Sequence, residues 1–310
     1  MKSNAVLNPI LSRTASEYAV NEAEYAGAAI APVFQVSVQA ATFPKWTREN
    51  MLNVPKLKAR APGAPYQRIN MEIGSDVFAT FDYGAEIPLD DRQRAIYANH
   101  FDADRGKILR GTRVLMLNKE RRVHALVTGA DVPTSAPAAK WDAGGGDPIG
   151  DIDAIKEVIH DNCGMDPNVA VIPRDVFNVL KEHPAILEKI KYTQRGVVTA
   201  DIIASVFGLD RIVVAGATQN SANEGQAISI QKLWGDSVIV AYVNPAIDLE
   251  SPTFARTFAW GGYSGASSGE LAVKTYREEN ASSTIHQLMH DVCEKLAAPA
   301  CGYHLSDVLS

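Results

Sequence analysis

The chain reads as an α+β protein: a loosely apolar N-terminal part and a long helix, followed by a compact region of mixed helix and strand. Three observations carry that expectation. Phe101, Ile108, Leu115, Val123 and Leu126 fall near one stripe at helical spacing. Short apolar runs at 168–173, 211–215 and 237–243 read as buried strands separated by amphipathic helices. Residues 1 to about 30 and 43 to 87 are too poor in large apolar side chains to bury a core of their own.

Composition narrows the function classes. The chain has 310 residues, with 46% apolar, 21% charged and 7% aromatic side chains, enough for a sizeable core. Lys and Arg number 30 against 36 Asp and Glu, a net charge of −6. That argues against a globally basic nucleic-acid binder, while one basic face stays open. Cys163, Cys293 and Cys301 are too scattered for a disulfide framework and suit a reducing compartment. The N-terminus has no long apolar core, so no secretory leader is expected. Residues 26–44 are uncharged, but Pro32, Pro44, Gln35 and Gln39 argue against a span and no membrane partner is expected.

Taken in order, residues 1 to about 30 are either a floppy tail or an arm that orders on a neighbour. Residues 43 to 87 read as an extended hairpin-like excursion: a basic, polar run from Lys45 to Arg60, turn chemistry at 61–65, then strand alternation at 70–74 and 77–81. Such an excursion buries little on its own subunit and points to contact with another chain. Pro88, Asp90 and Asp91 suit the start of a helix reaching about Val127, with Gly106 and Gly111 as local weak points and Gly129 ending it. Residues 142–148 read as a flexible joint. Beyond it come a helix through Ile152, Ile155 and Ile159, a strand at 168–173, a helix from Val176 to about Lys189 despite Pro184, and a helix from Thr199 to Phe207 stopped by Gly208. The apolar spacing of Ile285, Leu288, Met289, Val292 and Leu296 favours a helix from Ser283 to Leu296. Residues 302–305 read as strand or turn.

No convergent catalytic set emerges. Gly265-Ala266-Ser267-Ser268-Gly269 matches the nucleophile-elbow pattern G-x-S-x-G, which would make Ser267 a hydrolase nucleophile. It sits in a Gly/Ser-rich stretch without the strand and helix an elbow needs, and reads better as a loop. His286 and His290 stand at i and i+4 with Cys293 three residues on, a metal face if the segment is helical. Gln287 stands where a zinc protease needs its glutamate base. No phosphate-binding loop and no Cys-x-x-Cys is present, so neither cofactor nor metal is expected. Between Arg92 and Arg122 nine Lys or Arg stand against three Asp or Glu. That excess is either a solvated helix face or a surface turned to a polyanion.

From residue 150 to about 305 the chain resembles tailed-phage major capsid proteins of the HK97 fold. Three stretches carry the resemblance: Asn168–Pro173 with 176–184; 189–199 with 202–209; and 228–235 with 240–243, 252–254 and 257–260. The closing Ala298-Pro299-Ala300-Cys301-Gly302-Tyr303 is similar too, and the preceding order of arm, long loop and long helix agrees. The resemblance implies an HK97-like capsid fold: an N-terminal arm over 1–42, an extended loop over 43–87 lying on a neighbouring subunit, and a peripheral domain with a spine helix and linker over 88–148. An axial domain would occupy most of 149–270, and 271–310 would return to the peripheral domain, there as a strand, against the helical periodicity.

The resemblance further implies a structural subunit, not an enzyme, in the virion capsid and, during assembly, in the host cytoplasm. Its partners would be itself in pentamers and hexamers, a separate scaffold protein (or an upstream segment already removed), a portal, a possible decoration protein, and packaged double-stranded DNA read without sequence specificity. Arg92, Arg94, Arg105, Arg110 and Arg113 are the candidates for an inward or intersubunit basic face. Lys45, Lys56 and Lys58 lie in the loop, but nothing marks one for covalent cross-linking. The alternatives are an encapsulin-type compartment of the same fold, or a hydrolase using Ser267.

Overall fold

In the computed structural model, which describes residues 5–21, 25–69, 74–98, 102–191, 198–223, 225–244, 246, 248–262 and 271–310, two sheets flank one long helix. The N-terminal part forms β1 (Val6–Leu7), α1 (Pro9–Asn21), α2 (Gly27–Ile30), β2 (Val33–Val36), β3 (Ala40–Lys45), α3 (Arg48–Leu52), β4 (Gly74–Ala79) and β5 (Phe81–Asp90). Next come α4 (Asp91–Tyr97), α5 (Ala103–Val127) and β6 (Thr134–Ser135). The compact region holds α6 (Pro148–Cys163), β7 (Val169–Pro173), α7 (Arg174–Glu182), α8 (Pro184–Ile190), α9 (Ala200–Phe207), β8 (Arg211–Ala215), β9 (Thr218–Asn220), β10 (Ile230–Lys232) and β11 (Val238–Ala241). The chain closes with β12 (Ala255–Trp260), β13 (Ala272–Glu278), β14 (Ser283–Leu296) and β15 (Gly302–Leu305).

The first sheet is organised by β14. Met289 pairs with both Ala272 and Gly84, and Val292 with both Ala259 and Phe81. Strand β5 therefore runs along one edge of β14, and β13 and β12 lie end to end along the other. β1 extends the sheet beyond β13, and β2 runs parallel to β12. Helix α5 covers one face, where Ile108, Leu115 and Met116 meet Leu288, Val273, Leu271 and Ala15 of α1. The helix comes close because residue 111 is glycine: a Cβ there would stand 2.3 Å from Ile87 Cδ1.

The helix expected over 283–296 is this central strand. Strands β12, β13 and β5 cover both of its edges and α5 one face, so most of its residues are buried on either face. Apolar side chains then appear without the period of two that marks a half-exposed strand, and the residue spacing mimics a helix. The strand that the capsid resemblance implies is the one observed.

The second sheet has the order β6-β15-β11-β7-β8. Every residue of β7 is buried, which explains its uninterrupted apolar run. The largest core cluster joins this sheet to α6 and α9 and continues into Val123 and Val127 of α5 and Ala26, Ile30 and Ala31 at α2. Helices α6 and α9 end at Gly164 (φ +73) and Gly208 (φ +65), left-handed caps that glycine adopts without strain.

Other expectations shift. The helix placed at Pro88 begins at Asp91: Asp90 is the N-cap, accepting from the N–H of Arg92 and Gln93, while Pro88 and Leu89 are still paired in β5. α5 starts separately, at Asp102, whose side chain caps Arg105 N–H, and runs through Gly106 and Gly111. The helix expected across His183-Pro184 is broken there into α7 and α8, since the residue before proline is pushed out of the helical region (His183 ψ 127). The joint at 142–148 is pinned: Trp141 is 1% exposed, its indole N–H donates to Asp151, its backbone N–H to Val308, and Asp147 caps α6. The N-terminal stretch packs on its own chain, with β1 on β13 and Asn8 N–H donating to Val273 carbonyl. Phe101, 70–73 and Ser267 lie outside the described residues.

Candidate intersubunit surface

A buried carboxylate locks the N-terminal part to the rest. Glu120 of α5, 3% exposed, accepts from Ala26 N–H (2.8 Å), Gly27 N–H (2.9 Å) and the Trp234 indole N–H (2.7 Å). One side chain thus joins the start of α2, the long helix and the loop before β11. Burial pushes the carboxyl above the ordinary glutamate value, and the three donors pull the other way. His124, one turn on, meets the Trp234 ring edge to face at 5.1 Å. Gly27 is required by proximity: a Cβ would come within 2.6 Å of Glu120 Oε2. Sequence reasoning missed this residue; the available signal was a carboxylate on the same helix face as Met116 and Val123.

Between α5 and β14 lies a row of polar groups on the sheet's covered face. Arg122 holds Glu294 with Nε and Nη2 (3.1 and 2.9 Å) and lies 3.8 Å over the Tyr83 ring. Asp104 binds Arg94 with both oxygens (2.7 and 3.1 Å) and takes His286 Nε2 at 2.8 Å. His290 is 1% exposed, and neither ring nitrogen has a hydrogen-bond partner. The metal face considered for His286 and His290 does not form. On a strand, i and i+4 lie about 13 Å apart, and Cys293 points to the opposite face from both. Among the described residues no group of three His, Cys, Asp or Glu is placed to hold a metal.

His290 makes stability pH-dependent. Burial, with Arg122 and Lys119 adding repulsion, holds its imidazole down at about 3; Tyr83 and the Arg122–Glu294 pair face it from β5, α5 and β14. The unfolded chain takes up this proton near the ordinary value of 6.5. A depressed pKa in the folded state means that the stability is fully present above 6.5 and is lost as pH falls toward 3. Thermal melts of the purified chain from pH 7 to pH 4 are expected to show a falling Tm, with a visibly shallower fall in His290→Leu.

The five candidate arginines separate. Arg94 is committed to Asp104. Arg92 is exposed on α4, and Arg105, Arg110 and Arg113 are exposed on α5. Arg110 and Arg113 share a face with Arg121, which donates to Gln219. Among the described residues, no helix is long and apolar enough to cross a membrane.

The excursion is anchored at its base and bare beyond it. β3 and β4 pair from Ala40↔Ala79 to Lys45↔Gly74. Phe78 stacks on Phe258 at 4.3 Å, Phe43 lies 5.0 Å from the same ring, and Trp46 N–H donates to Ala297 carbonyl. Past α3 the chain runs without helix or strand through residue 69, turning at Gly63 (φ +83), with Arg60 over the Tyr66 ring. Val54, Leu57 and Tyr66 are 83%, 67% and 77% exposed. Ile228 and Ile230, at the β9–β10 hairpin, are 76% and 72% exposed. Apolar residues this bare, grouped on an extended segment, are the kind of surface that association buries.

With this surface described, the comparisons with known proteins can be set beside it. Residues 126–240 match the family model described as phage major capsid protein E. The major capsid protein of Burkholderia phage BcepMu is 29% identical over 245 residues, covering 77% of this chain and 76% of that one. The crystal structure of a phage-related protein from Bordetella bronchiseptica RB50 superposes with a TM-score of 0.73 at 26% identity, covering 98% of both chains. The capsid structure of cyanophage P-SCSP1u superposes with a TM-score of 0.58 at 14% identity, over 90% of this chain and 87% of that one, and shares the fold. Over about three quarters of its length the chain is similar to phage major capsid proteins, which are structural proteins of the virion capsid, and it has the α+β fold of phage capsids of the HK97 type.

Proposed function

We propose that copies of this chain close into an icosahedral shell around the double-stranded DNA genome of a tailed phage, assembling as pentamers and hexamers in the host cytoplasm. The observation that supports this best is the bare loop at 53–69, whose apolar and cationic side chains have almost no partner on their own subunit. Residues 1–42 then act as the arm, 43–87 as the loop over a neighbour, 88–148 with 271–310 as the peripheral domain carrying α5, and most of 149–270 as the axial domain. Each contact is modest, and closure makes the sum large. Arg92, Arg105, Arg110 and Arg113 supply an inward or intersubunit basic face; phosphate contacts of that kind carry no sequence information. A scaffold protein, a portal and a possible decoration protein complete the head.

Sedimentation velocity and light scattering of the purified chain test this reading. Particles of many subunits are expected, and a species that stays monomeric or dimeric as concentration rises would refute it. Nucleic acid inside native particles favours the viral shell; enzyme cargo would favour a compartment of the encapsulin kind.

A further inference from the structure

Two of the three cysteines, far apart in sequence, meet in the fold. Cys163 is the last residue of α6, and Cys301 closes the 3₁₀ turn Pro299–Cys301 that leads into β15. α6 packs on that turn, and both thiols belong to the largest core cluster. They are within hydrogen-bond reach of each other, and both are free. Cys163 Sγ also lies 3.5 Å from the Met165 carbonyl oxygen, and Cys301 Sγ lies 3.9 Å from Met51 Sδ of α3. Leu52 of the same helix sits against Gly164. Three separate parts of the chain therefore converge on one pair of thiols: the base of the excursion, the end of α6 and the C-terminal segment. Cys293 lies in a different cluster, on β14 opposite Phe258.

The two thiols are chemically unequal. Their shared hydrogen bond outweighs burial at Cys163 and brings that thiol down to about 7, while it pushes Cys301 up. Cys163 is thus substantially thiolate at neutral pH, the nucleophilic form, with a protonated thiol beside it. Cys163 is 3% exposed and Cys301 not at all, so a small oxidant meets Cys163 first. We propose that Cys163 and Cys301 are an oxidisable pair that closes to an intrachain disulfide and pins the C-terminal segment to α6. With a peroxide as oxidant, the Cys163 thiolate attacks one oxygen and the O–O bond breaks. The hydroxide that leaves takes up a proton and becomes water. Cys301 then displaces the oxygen of the Cys163 sulfenic acid: the S–S bond forms, the S–O bond breaks, and the Cys301 proton departs with the oxygen as a second water. Two thiols are oxidised and one peroxide is reduced. In a reducing compartment the pair stays open, and outside one it closes. Neither step depends on assembly.

Thiol counting on the full chain tests it. Cysteines that react after denaturation should number three before hydrogen peroxide and one after it. A peptide map should link Cys163 to Cys301 and leave Cys293 free. The Tm of the oxidised chain should rise by roughly 5–10 °C, since the bond closes a long loop, and fall back with dithiothreitol. Cys301→Ala removes the partner: Cys163 should then stop at the sulfenic acid, trapped by dimedone, with no rise in Tm. Because both thiols are buried, the decisive arm refolds the reduced chain in excess oxidised glutathione, where burial no longer limits access. There the same bond should form by exchange, one glutathione disulfide leaving as two glutathione thiols. A chain that refolds to the native state with all of its thiols free would overturn the proposal, as would a bond that joins Cys293 instead.

Discussion

Glu120→Ala is expected to cost more stability than any other single substitution considered for this chain. Removal of the carboxylate leaves Ala26 N–H, Gly27 N–H and the Trp234 indole N–H without their acceptor in a buried site. At about 1–3 kcal/mol for each orphaned buried donor, the loss is on the order of 3–9 kcal/mol. A natural fold has only about 5–15 kcal/mol in hand. The effect reaches further than the site, because α2, α5 and the segment before β11 come from three separate parts of the chain. Urea unfolding is the measurement: the midpoint should fall sharply, or the variant should be recovered only in aggregates. Glu120→Gln separates acceptor from volume. It keeps one oxygen but turns an amide toward donors, so it should lie between wild type and Glu120→Ala. A midpoint unchanged in Glu120→Ala would mean that water serves these donors equally well.

Replacing residues 54–69 by a short Gly/Ser linker is expected to have the opposite profile: little change in stability, complete loss of assembly. The replaced residues lie outside the three hydrophobic clusters, whereas Trp46 and Met51, just before them, pack on the core and are retained. The β3–β4 ribbon keeps the two ends of the excursion together, since Lys45 pairs with Gly74. The shortened monomer should therefore melt within a few degrees of wild type. In sedimentation it should stay at low mass where wild type forms large particles. Large particles from the shortened chain would show that the loop carries no essential contact.

Much of the architecture was legible because its causes are local. The strand at 169–173 and the helix stop at Gly208 follow from runs and caps that no distant residue overrides. The long helix was legible from its apolar stripe, but its start was not: β14, two hundred residues on, claims Pro88 and Leu89 for a strand. The same long-range pairing hid β14 itself, whose burial on most sides erased the alternation that identifies a strand. Trp141 and Asp147 turned an apparent hinge into a fixed corner through contacts with Val308 and Asp151, which spacing does not announce. For the intersubunit surface, the extended basic loop was visible in composition. The facing acids of the first sheet were not, because Asp82 and Asp291 are brought opposite each other only by the register of β5 on β14. The buried junction at Glu120 was invisible for the same reason. The five arginines drew attention as a charge run; the fold shows that Arg94 is spent on Asp104, while the other four stay exposed.

A shell subunit whose bare loop is completed by other copies must form large closed particles. Negative-stain electron microscopy of the purified full-length chain, on the sample used for light scattering, tests it most directly. Closed shells, or rings with five- and six-fold symmetry, are expected. Single particles of the size of one or two subunits, unchanged at high protein concentration, would contradict it.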